Sequence, residues 1–94
     1  MHKFLTVGFS FCEKLYQSII MVKKKSDHTV YQITVMNGDL EKLLHGNHII
    51  KQTGGLLEHE ISKNDQQDLL KTSIGKALSK LLKLPLKKRI KLTV

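Results

Sequence analysis

The sequence predicts an α+β fold: a small antiparallel sheet of about four strands, as two hairpins joined by a short helix, packed against one long C-terminal amphipathic helix. Three observations lead there. Apolar residues alternate with period two over several short runs before residue 62. A single segment, Ser62 to Leu84, carries its leucines at helical spacing. The chain has 94 residues, which sets one small domain, 1–94, as the expected organisation.

Within residues 1–20, Leu5, Val7, Phe9 and Phe11 alternate with Thr6, Gly8 and Ser10, as in a strand. Two other readings compete. Residues 1–20 could be an extension ahead of a start at Met21. The stretch Phe4 to Phe11 also faintly resembles an export signal, but it has one Lys before it and no small-residue cleavage site after it. Export is therefore disfavoured, and a cytoplasmic chain is expected.

Leu15 to Lys23 and His28 to Met36 are rich in β-branched and aromatic residues and read as a hairpin around residues 24–27. Asn37-Gly38 reads as a strand exit into a two-turn helix capped by Asp39 and stopped at Gly46, with a second Asn-Gly hairpin as the alternative. Gly54-Gly55 reads as a two-residue hairpin loop that sets Lys51 opposite Glu58 and Ile50 opposite His59.

The long helix begins at Ser62-Lys63-Asn64-Asp65, which has capping-box spacing. Leu70, Ile74, Ala77, Leu78, Leu81 and Leu82 form its apolar stripe, with Lys76, Lys80 and Lys83 opposite. Gly75 allows a close neighbour, and Pro85 ends the helix. Residues 86–94 read as an edge strand, with a basic tail as the alternative.

Charge is the other informative feature. The chain has a formal net charge of +8, and it is unevenly distributed. Residues 1–61 hold seven basic and six acidic residues, whereas 62–94 hold nine basic residues against Asp65 and Asp68. Such a stretch attracts polyanions by counterion release. The candidate nucleic-acid-binding residues are Lys71, Lys76, Lys80, Lys83, Lys87, Lys88, Arg89 and Lys91. Fifteen of the sixteen basic residues are Lys, so phosphate contact is expected rather than bidentate base reading. All five aromatics lie at or before Tyr31, which argues against a base-stacking platform.

No enzyme, cofactor or metal site is expected. Phosphate-binding loops, nucleophile elbows and dinucleotide fingerprints are absent from the sequence. His45, His48 and His59 have loose ligand-like spacing, but each has an ordinary structural explanation. The lone Cys12 reads as a small buried residue. The expected function is thus a small basic, non-enzymatic protein associated with nucleic acid through non-specific phosphate contacts. The alternative is a protein-interaction module or homo-oligomer that uses the apolar stripe of the long helix. Peripheral membrane attachment ranks last, because residues 69–83 contain no Trp or Phe.

Overall fold

Six strands, rather than four, are formed. The computed structural model describes residues 3–60, 62 and 64–89, with Arg89 described by its backbone alone. The chain order is β1 (Lys3–Phe11), β2 (Lys14–Lys24), β3 (Thr29–Val35), α1 (Gly38–Leu44), β4 (Ile49–Thr53), β5 (Leu56–Glu60), α2 (Asp65–Leu82) and β6 (Leu86–Arg89). All strands join one sheet in the order β1-β2-β3-β4-β5-β6. The first four pairings are antiparallel and β5–β6 is parallel. The sheet curls into a half-barrel, and about 48% of the structure is strand.

This corrects the expected four-stranded antiparallel sheet at both ends. At the front, residues 3–11 pair along their whole length with β2. The link is the two-residue turn Cys12-Glu13, with φ of 50° and 64°. Two consecutive left-handed residues match the twist of the flanking strands, the geometry usually given to Asn-Gly. Cys12 is exposed there, not buried as expected. At the back, α2 returns the chain in the direction of β5, so β6 can pair only in parallel. Residues 90–94, which carry most of the expected terminal strand, lie outside the described residues.

The inner face holds the core. Val7, Phe9 and Phe11 of β1, Ile20 and Val22 of β2, and Tyr31, Ile33 and Val35 of β3 are buried by period-two alternation. Ile50 and Leu57 continue this face. Leu70, Ile74 and Leu78 of α2 press into the curl with no exposed surface. Helix α2 packs against β1, β5 and β6, and so bridges the two edges of the half-barrel. A Cβ on Gly75 would lie 3.0 Å from Leu86 Cδ2 and 3.7 Å from Ile50 Cδ1, so glycine lets α2 approach the sheet closely.

The helix ends follow the expected chemistry with shifted residues. Asn37, rather than Asp39, caps α1, and its Oδ1 accepts from Leu40 N at 3.1 Å. His45, at φ 47°, provides the left-handed stop one residue before Gly46. Asn64 caps α2, and its Oδ1 accepts from Gln67 N at 3.0 Å. No helix among the described residues is long and apolar enough to cross a membrane.

Candidate functional site

The basic C-terminal third does not become one patch. Lys76 and Lys80 lie on the exposed side of α2, and Lys83 is its exposed, left-handed C-cap. The 1.5 Å rise per residue spreads them over ~10 Å. None of the three takes part in an ion pair among the described residues. Strand alternation separates Lys87 from Lys88. Lys88 is exposed on the side facing α2, and its Nζ meets Asp68 Oδ2 at 3.1 Å. Lys87 is exposed and sits beside Glu58 in register. Only the backbone of Arg89 is described, and Lys91 lies outside the described residues.

Lys71 departs furthest from the expected surface. It is 1% exposed, beneath the sheet rather than on it. Its Nζ donates to Asn47 Oδ1, in the link between α1 and β4. Burial pushes the ammonium pKa down to about 8, although the nearby Glu60 and Asp68 carboxylates oppose that change. The spacing of α2 contains the signal. Lys71 precedes Leu78 by seven residues, nearly two full turns, and therefore shares its buried face.

A gap in the sheet lies above Lys71. Strands β4 and β5 pair at Lys51–Glu58, Gln52–Leu57 and Thr53–Leu56, and their ladder stops there. Yet β4 begins two residues earlier, at Ile49, and β5 runs two residues further, to Glu60. A pocket of about 290 Å³ opens where the pairing ends. Asn47, Ile49, Lys51, His59, Glu60 and Lys71 are in its lining. That volume is just below the roughly 300–1,000 Å³ typical of small-ligand pockets.

His59 is 2% exposed. Its Nδ1 lies 3.2 Å from the carbonyl oxygen of Glu60. A carbonyl oxygen only accepts, so Nδ1 carries the proton and Nε2 keeps its lone pair. Nε2 is buried and has no hydrogen-bond partner among the described residues. Burial, with a smaller contribution from the Lys71 charge, holds the imidazole pKa below its ordinary value. The pocket thus combines an amine and an imidazole whose charged forms burial makes less favourable than usual. His48 lies elsewhere, with its Nε2 3.0 Å from Glu41 Oε2. No group of three metal-ligating side chains is found among the described residues.

A second opening, of about 540 Å³, lies between the inner ends of β1–β3 and the end of α2. Two of its polar groups pair, the Tyr31 hydroxyl donating to Gln52 Oε1 at 2.5 Å. The chain matches no family model, no curated protein and no solved structure.

Proposed function

We propose that the chain is a small, non-enzymatic protein that binds nucleic acid non-specifically through phosphates, using the exposed side of α2. The observation that supports this reading is the row Lys76, Lys80 and Lys83, exposed on one helix and free of ion pairs among the described residues. Lys71 is buried and Lys88 is matched by Asp68, so neither adds to the row. With about three phosphate contacts, affinity falls roughly 40-fold between about 50 and 200 mM salt. Fluorescence anisotropy with labelled duplex and single strands tests this. Binding at low salt that weakens on this scale, and that vanishes in the triple Lys76/Lys80/Lys83→Gln variant, supports it. No binding at about 50 mM salt overturns it.

A protein partner or a second copy is the other reading. Part of the apolar stripe of α2 is occupied: Leu70, Ile74 and Leu78 are covered by the chain's own sheet, whereas Leu81 stays 54% exposed. The outer sheet face offers an alternative. Phe4 is 63% exposed and Ile19 37%, on adjacent strands and one diagonal step apart. Mass measured by light scattering over a concentration series separates the two readings. A concentration-dependent dimer lost on Phe4→Ser favours the partner reading, and a constant monomer mass removes the second copy.

A further inference from the structure

Lys71 is buried without a counter-ion. Among the described residues no carboxylate lies within ion-pairing distance of its Nζ, and Asn47 Oδ1 is its hydrogen-bond acceptor. A buried ammonium in that position is costly, whereas a neutral amine is not. A neutral lysine amine on a pocket wall is a nucleophile toward carbonyl carbon. His59 lines the same pocket, and its Nε2 has no hydrogen-bond partner among the described residues. Ile49 supplies an apolar wall.

We propose that Lys71 captures a short aldehyde as an imine in the pocket between β4 and β5. The Nζ lone pair forms the new bond to the carbonyl carbon, and the C=O π pair moves to oxygen. A proton passes from nitrogen to that oxygen through solvent. The carbinolamine then loses hydroxide together with a proton, as water, and the nitrogen lone pair closes the C=N bond. One aldehyde is consumed and one water is released, with no oxidant or reductant.

The free-amine fraction favours this lysine over the rest. At pH 7 roughly 300-fold more of Lys71 than of an ordinary lysine is unprotonated.

Reductive trapping of the full chain decides the matter. The chain is treated with butanal and cyanoborohydride at pH 7 to partial conversion, and the modified lysines are mapped by peptide mass spectrometry. The expected result is alkylation of Lys71 ahead of Lys76, Lys80 and Lys83 by about tenfold or more, since slower access to a buried amine offsets part of its free-amine advantage. The preference should disappear in denaturing urea. Labelling of Lys71 no faster than Lys76 overturns the proposal. So does a preference that survives denaturation, because it would then come from sequence and not from the pocket. The site map comes from the unaltered chain, so the outcome does not depend on how a Lys71 variant folds.

Discussion

The two halves of the half-barrel solve different problems. Strands β1–β3 are long and run in unbroken register, with nine pairs between β1 and β2 and seven between β2 and β3. Their inner face is apolar apart from Ser18, whose Oγ donates to Val7 O at 2.9 Å. Strands β4–β6 are short, with three pairs between β4 and β5 and four between β5 and β6. The two buried basic side chains of the described core gather at this second half, His59 on β5 and Lys71 on α2 beneath it. Long ladders satisfy the backbone and leave side chains to pack. Where the ladder ends early, polar side chains and open space take its place. The first half supplies stability, and the second gives some up around a pocket.

The largest expected effect comes from breaking the apolar half. Ile20 is fully buried on β2, with Leu5 and Ile33 as its register partners. Ile20→Ala should cost about 2–5 kcal/mol in urea unfolding, through lost burial and the cavity left behind. A loss below about 1 kcal/mol would mean that this half is not the stable one.

The reverse sign is expected in the other half. Lys71→Met should raise stability at pH 7 by roughly 1–3 kcal/mol, because an apolar side chain of similar length replaces a buried charge. The pH dependence gives a sharper reading. The Lys71 pKa falls from 10.5 to about 8 on folding. Between those values the unfolded chain holds a proton that the folded chain lacks. Stability therefore rises as pH increases from about 8 to 10.5, and the folded chain bears the full penalty of the buried charge below that window. Urea midpoints across this range should climb in the unaltered chain and flatten in Lys71→Met. A parallel climb in both chains would assign the dependence elsewhere.

A smaller gain is expected at the β1–β2 turn. Cys12 and Glu13 both hold positive φ without being glycine. The double substitution Cys12→Asn with Glu13→Gly relieves that strain and should add about 1 kcal/mol. The thermal midpoint would move up, and an unchanged midpoint would show that the turn carries no strain. The smallest effect belongs to Lys76, Lys80 and Lys83. Their replacement by Gln should change stability by no more than about 0.5 kcal/mol, which leaves the nucleic-acid test free of folding artefacts.

Local chemistry was legible where neighbours in sequence are also neighbours in space. The β4–β5 register followed from Gly54-Gly55 and the Lys51–Glu58 pair, and the structure forms that pair in register. The α2 stripe followed from its 3.6-residue period. What failed depends on distant partners. Leu86-Lys87-Lys88-Arg89 says nothing locally about pairing in parallel with β5. Cys12-Glu13 carries none of the usual turn residues, so the first hairpin was hidden. The candidate lysine cluster dispersed for a geometric reason. Helix rotation turns Lys71 away from Lys76, and strand alternation turns Lys87 away from Lys88. Lys71 itself was readable from its place two turns before Leu78, but its charge concealed the spacing.

The parallel pairing of β6 sets an order of assembly. The β1–β2 hairpin closes through a two-residue turn, whereas Leu57 meets Leu86 only after all of α2 has been laid down between them. Long closures contribute late in folding, because their entropy must be met before their contacts form. Leu86→Ala should therefore speed unfolding in stopped-flow kinetics and leave the refolding rate nearly unchanged. A slowed refolding rate would place β6 in the nucleus. Unfolding that speeds up with refolding unchanged would make β6 a latch, setting how long the folded chain persists rather than how fast it forms.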